Sequence, residues 1–205
     1  MQNNIESAKK LLELNWKENY TIPSNNLYPH QWSWDSAWSV YGYVALNEFE
    51  KAEKELLSLF NYQWNNGLIP SIVFHSLEND SYFPNPEVWN LKKYAKHLTN
   101  KFNSTGIVQP PLHSSACLKL YKASGNIKFL KRIYPKLLKW HNYLYKYRDF
   151  KNEGLVSIIH PWESGMDNSP LWDDAFKRIK INEFKYSLNR TDNKNVLVLK
   201  LHAQP

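Results

Sequence analysis

A single cysteine, Cys117, in 205 residues excludes an internal disulfide and any zinc site built from cysteines. The seven histidines form neither His-Glu-x-x-His nor His-x-His, so neither a metal nor any other cofactor is expected. A glycine-rich phosphate loop is missing, and so is the Gly-x-Ser-x-Gly elbow of serine hydrolases. No apolar run approaches the roughly 18 residues of a membrane span. The opening Met1-Gln2-Asn3-Asn4 leads into an amphipathic pattern rather than a secretory signal, so a soluble cytoplasmic protein with no membrane partner is the expectation. Arginine clusters are lacking too. The net charge of +7 comes from lysines spread along helical stretches, which reads as solvated faces and not as a nucleic-acid footprint.

What is abundant is aromatic. Nine Trp, 13 Tyr and nine Phe make 15% of the chain, more than a core of this size requires. Tryptophan and tyrosine offer a flat apolar face and a polar edge, a combination that suits a pocket for polar ligands such as sugars. Some of these rings must simply fill the core. With 42% hydrophobic and 22% charged residues the composition is that of a globular domain.

Helical periodicity dominates, and strand signals are few, so the class is all-α, built of helical hairpins. Ile5, Ala8, Leu11, Leu12 and Trp16 line one face of a first helix; Trp34, Ala37, Trp38, Tyr41, Val44 and Ala45 line a second. Phe49, Ala52, Glu53, Leu56, Phe60 and Trp64 follow on a third, after a joint at Asn47-Glu48 short enough to make an antiparallel pair. Asn85-Pro86-Glu87 opens a fourth helix reaching about Leu98, and Gln109-Pro110-Pro111 starts a fifth reaching about Ala123. Ile127 to Leu144 is periodic, with a kink or restart expected at Pro135. Ser169-Pro170 followed by Asp173 and Asp174 begins a seventh helix.

The loops between these helices are poor in lysine and rich in Trp, Tyr, His, Pro and Gly. They are Tyr28-Pro-His-Gln-Trp-Ser-Trp-Asp35, Gly67 to His75, Tyr82-Phe-Pro-Asn-Pro86, Gly106 to His113, and His160-Pro-Trp-Glu-Ser-Gly-Met-Asp167. Loops on a rigid scaffold are where binding groups concentrate. In the last loop Glu163 and Asp167 bracket Gly165 beside Trp162, as acid–base chemistry on a sugar would need. Alternatively, Asp167 and Ser169 only cap the following helix. In the first loop His30, Gln31 and Asp35 alternate with Tyr28, Trp32 and Trp34; Asp35 either grips two sugar hydroxyls or caps a helix. Gln109 alone decides nothing. His75, His113 and His160 are loop histidines able to bond a ligand, whereas His141 is a satisfied helix residue and Cys117 a buried, inert thiol.

Five of these segments, in this order, resemble the mannosylglycerate and glucosylglycerate hydrolases of glycoside hydrolase family 63: Tyr28 to Asp35, Gly67-Leu-Ile-Pro-Ser71, Tyr82-Phe-Pro84, Gly106 to Pro111 and His160 to Pro170. The Glu-Ser-Gly-x-Asp core also recurs in family 37 trehalases. The resemblance covers about residues 5 to 195 and implies an (α/α)6 toroid that hydrolyses a small α-glycoside with inversion. It implies that Asp167 is the general acid and that Tyr28, Trp32, Trp34, Asp35, Tyr82, Gln109 and Trp162 surround the sugar. His30, Gln31 and Glu163 belong to the same segments and are candidate substrate contacts.

Members of that family are about twice as long, so residues 1–195 are expected to form the N-terminal half of the toroid and 196–205 an atypical strand-like tail. A truncation or frame change near Val196 would account for that tail. The family's general base has no counterpart here. Weak or absent activity, and self-association through the open half-toroid face, are therefore expected. Another α-glucosidase or trehalase-like enzyme of the clan, or a non-catalytic sugar-binding remnant, remain the alternatives.

Overall fold

A computed structural model of the chain describes residues 2–76 and 82–177. The segment 196–205 lies outside the described residues. In order come α1 (Gln2–Asn15), β1 (Trp16–Lys17), β2 (Tyr20–Thr21), β3 (Gln31–Trp32), α2 (Ser33–Ala45), α3 (Phe49–Phe60) and β4 (Ile72–Val73). After them follow α4 (Pro86–Trp89), α5 (Leu91–Tyr94), α6 (His113–Ser124), α7 (Ile127–Arg148), two 3-10 turns (Pro161–Glu163 and Pro170–Trp172) and α8 (Asp173–Lys177).

The expectation of helical hairpins holds, with one core between α2, α3, α6 and α7. Ala37, Val40 and Val44 of α2 meet Ala52, Leu56, Leu59 and Phe60 of α3. Ala116, Cys117 and Leu120 of α6 and Phe129, Ile133, Leu137, Trp140 and Leu144 of α7 complete it. The spacing of these residues at three and four positions lays one stripe of each helix against its neighbours.

Four departures from the sequence expectations have local causes. The fourth helix is two single turns, because Asn90 takes a left-handed conformation (φ 45°) that ends α4 four residues after its Asn85 cap. The fifth starts at His113, not Gln109, since each residue before a proline is driven out of the helical region and Gln109-Pro110-Pro111 holds two such positions. Conversely α7 runs unbroken through Pro135. Pro135 and Lys131, whose carbonyl loses its intrahelical donor, both face solvent, so water can take the missing place. The apolar face expected on α1 is mostly uncovered: Ile5 and Leu11 are more than half exposed, while Leu12 packs near Gly42 and Trp16 belongs to β1.

The small amount of sheet lies where it matters for the loops. β3 pairs antiparallel with β4, Gln31 opposite Val73 and Trp32 opposite Ile72. On the other edge of β4, Ser71 N–H donates to Ile107 and Thr105 N–H donates to Ile72, at 2.8 and 3.1 Å. Three of the aromatic loops are thus stitched together by backbone at the N-terminal ends of α2 and α6. His113 ties those two helix starts directly: its Nε2 lies 3.0 Å from Ser33 Oγ and 3.1 Å from Ser33 O.

Candidate active site

Against this layer opens a cavity of about 460 Å³. Tyr28, Trp32, Trp34, Asp35, Tyr82, Gln109, Trp162 and Asp167 all line it, together with Pro23, Phe83, Gly165 and Asn168. Eight residues that were singled out from four separate loops therefore meet at one place.

Trp32 and Trp34 stand either side of the start of α2. Trp32 is held edge-on by Tyr28 (centroids 5.3 Å apart) and Tyr82 (6.1 Å), and its buried indole N–H meets no protein acceptor among the described residues. The first N–H groups of a helix lack intrahelical partners. At Trp34 that need is met from another loop, by Gln109 Oε1 at 3.1 Å. Gln109 is thus fixed by its oxygen, and its amide nitrogen has no protein acceptor among the described residues. Asp35 lies in the first turn of α2, where the helix dipole favours a carboxylate. Burial outweighs that and pushes Asp35 from its ordinary 3.8 up to about 6.

The loop bearing Asp167 is anchored by Glu163, which does not line the cavity. The Glu163 carboxylate accepts from Val108 N–H (3.1 Å), Ile159 N–H (2.9 Å) and Arg148 Nη1 (3.1 Å), and pairs closely with Arg148 Nη2. Both side chains are almost fully buried. With all its lone pairs directed at these donors, Glu163 is a structural tether and not a substrate contact. Two residues on, Gly165 turns the chain at φ 68°, and a Cβ there would sit 2.7 Å from the Trp34 ring. The turn carries Asp167 to the cavity rim. The capping role falls to Ser169, which accepts from Leu171 N–H at 3.3 Å to start the turn Pro170–Trp172.

Two other candidates also sit behind the wall instead of in it. His30 is buried, edge-on to Phe74 and Tyr82. Gln31 is fully buried and bonds Glu55, Ser36, Ser58 and His75. Alternation along β3 separates Gln31 from Trp32, which faces the cavity, while His30, just before the strand, is held behind the wall by its packing against Phe74 and Tyr82. The loop histidines are likewise engaged by protein. His75 Nε2 is 2.7 Å from Gln31 Oε1, His113 holds Ser33, and His160 Nδ1 accepts from Trp162 N–H at 3.2 Å. Cys117 is buried, and burial pushes its thiol up to about 12, so it is inert as a nucleophile.

Two carboxyl groups, Asp35 and Asp167, thus share one cavity with three indoles in a helix-rich chain. The model of the mannosylglycerate hydrolase MGH1-like glycoside hydrolase domain matches residues 28–204, and the chain belongs to that family. A mannosylglycerate hydrolase of Rubrobacter radiotolerans is 46% identical over 173 residues, which are 82% of this chain and 38% of that protein. A glucosylglycerate hydrolase of Mycolicibacterium hassiacum is 36% identical over 198 residues, 91% of this chain and 43% of that one. The crystal structure of the GH63 mannosylglycerate hydrolase from Thermus thermophilus in complex with Tris and D-glycerate superposes with a TM-score of 0.80 at 34% identity. That match covers 97% of this chain and 49% of the other. The chain therefore spans less than half the length of these relatives.

Proposed function

We propose that this chain forms the acid-bearing part of the pocket of an inverting α-glycoside hydrolase for mannosylglycerate or glucosylglycerate, as the N-terminal part of an (α/α)6 toroid acting in the cytoplasm. One observation carries the reading: Asp35 and Asp167 open into the same cavity as Trp32, Trp34 and Trp162. Asp167 protonates the leaving glycerate oxygen as the glycosidic bond breaks. The indoles stack on the apolar faces of the sugar ring, and Asp35 grips its hydroxyls. Held at about 6, Asp35 is partly protonated near neutrality and both donates to and accepts from those hydroxyls.

Inversion needs a second carboxylate roughly 6.5–9.5 Å from the acid to activate water. Glu163 is committed to Arg148 and two backbone amides, and Asp35 is assigned to the sugar hydroxyls, so in this reading the base comes from outside the described residues.

The test incubates the chain with each glycerate glycoside, following binding by calorimetry and release of free hexose by chromatography. Binding that falls about tenfold in Trp34→Ala is expected. Hydrolysis should be slow and vanish in Asp167→Asn. No binding of either glycoside, or hydrolysis that survives Asp167→Asn, would overturn the reading.

A further inference from the structure

Behind the cavity wall lies a carboxyl group that the proposed chemistry does not use. Glu55 of α3 is 0% exposed and no lysine or arginine pairs with it among the described residues. Four elements meet at its side chain. Thr21 of β2 donates to Oε2 at 2.6 Å, and Ser36 of α2 donates to Oε1 at 2.5 Å. Gln31 of β3 donates its amide to Oε1 at 2.8 Å and shares it with the Glu55 backbone carbonyl at 3.1 Å. Tyr43 Oη, 2.8 Å from Thr21 Oγ1, and His75 and Ser58, both on Gln31 Oε1, form the outer ring of the cluster.

The donor count fits one charge state. Three donors converge on two oxygens, and Thr21, having given its proton to Glu55, accepts from Tyr43. A protonated Glu55 would bring a fourth hydrogen into a set of groups that already donate to it, so one hydroxyl would have to turn away. Gln31 is bonded through both ends of its amide and is the residue before Trp32. Among the described residues, its side chain is the link by which this cluster reaches the strand carrying the tryptophan wall.

We infer that Glu55 is a positioning residue for the candidate sugar site: its carboxylate, acting through Gln31, sets β3 and with it the Trp32 wall of the cavity. This rests on the function proposed above only for the identity of the ligand. Gaining a proton at Glu55 removes an acceptor from Gln31 and loosens the wall. Burial drives Glu55 from its ordinary 4.5 up to about 7, against the pull of Ser36, Thr21 and Gln31, so the change falls near neutrality. Other titratable groups face the same region. Burial holds Tyr43 up to about 12 and raises Tyr20, so both stay neutral. Burial takes His75 down to about 4, leaving it neutral above that. Asp35 on the cavity side, at about 6, and His30 beside Tyr82 are the groups to be separated from Glu55 by substitution.

The experiment labels the full chain with 5-fluorotryptophan and follows its fluorine resonances from about pH 5 to 8.5, spanning the window named above. The Trp32 signal is assigned by its loss in Trp32→Phe. It should shift with a midpoint near neutrality, keep that shift in Asp35→Asn and His30→Gln, and stay fixed in Glu55→Gln. If Glu55→Gln does not fold, Thr21→Val removes one donor to the carboxylate and should raise the midpoint by about one pH unit.

Unfolding midpoints serve as a second readout. A folded value above the ordinary one means the folded state binds this proton more tightly, so stability is lost as pH rises from about 4.5 through about 7. That part of the slope should disappear in Glu55→Gln. A Trp32 signal that does not titrate, or titrates unchanged in both Glu55→Gln and Thr21→Val, or is silenced by Asp35→Asn, would overturn the inference. Glycoside affinity read on the same samples should fall about tenfold in Glu55→Gln. Affinity that is equal in the two would also overturn it. If no glycoside binds at any pH while Trp32 still titrates through Glu55, the proposed function fails and the positioning role is upheld.

Discussion

At position 165 any side chain meets two obstacles at once. The backbone is left-handed, which costs residues with a Cβ about 1–2 kcal/mol, and the place a Cβ would take is 2.7 Å from the Trp34 ring. Gly165→Ala should therefore lower stability by about 1–3 kcal/mol in urea unfolding and weaken glycoside binding by moving Trp34. Unfolding at the unaltered midpoint would contradict this account of the turn. The same close approach explains how two distant segments are matched. The ring that walls the cavity from α2 rests on the one residue of the Asp167 loop that has no side chain, so acid and wall share a single contact.

Among the elements, α7 offers the clearest test. Pro135 sits in its interior with no N–H to give, on the solvent side, so nothing in the core depends on its ring. Pro135→Ala should stabilise the chain by about 1–3 kcal/mol in thermal unfolding; loss of stability would mean that the ring has a packing role. The helices were legible because their apolar stripes repeat; unusual loops marked the segments of the site, and the family resemblance picked out the eight cavity residues within them, Gln109 among them. What periodicity could not give was the state of a polar residue on a buried stripe. On α3 the apolar pattern admitted Glu53 and passed over Glu55. In the structure Glu53 accepts from Asn126 near the surface at 2.7 Å, whereas Glu55, three residues after Ala52, is the one enclosed. Arg148 was hidden for a similar reason: it closes a lysine-rich helix and reads as one more solvated charge until Glu163 is found opposite. His30, Gln31 and Glu163 were grouped with the site because they share its segments, but ring packing holds His30, strand alternation Gln31 and a buried cation Glu163 in the supporting layer. The start of α6 and the division of α4 from α5 depended on backbone conformations at Pro110, Pro111 and Asn90 that sequence spacing does not weigh.

For the molecule as a whole, one group of uncovered apolar side chains lies on the outward faces of α6 and α7, apart from those of α1. Leu118, Tyr134, Leu138 and Tyr145 are each more than half exposed, as are Phe150 and Leu155 beyond them. Scattered apolar side chains are ordinary, but several large ones on adjoining helices favour association. Sedimentation of the chain at micromolar concentrations should show species larger than 24.3 kDa, and Leu138→Lys with Tyr145→Lys should restore a single small species. A monomer at all concentrations would show that these faces are content in water. The Glu163 knot bears on the shape of the acid's loop. Its hydrogen-bonded anchors, Val108, Arg148 and Ile159, are at most 55 residues from it along the chain. Arg148 and Ile159 lie within 15 residues of it, spans that close at little cost in chain entropy, and Val108 alone ties the loop across a longer stretch. The acid's loop is thus a largely self-contained casting, its shape set by donors that the described residues themselves supply.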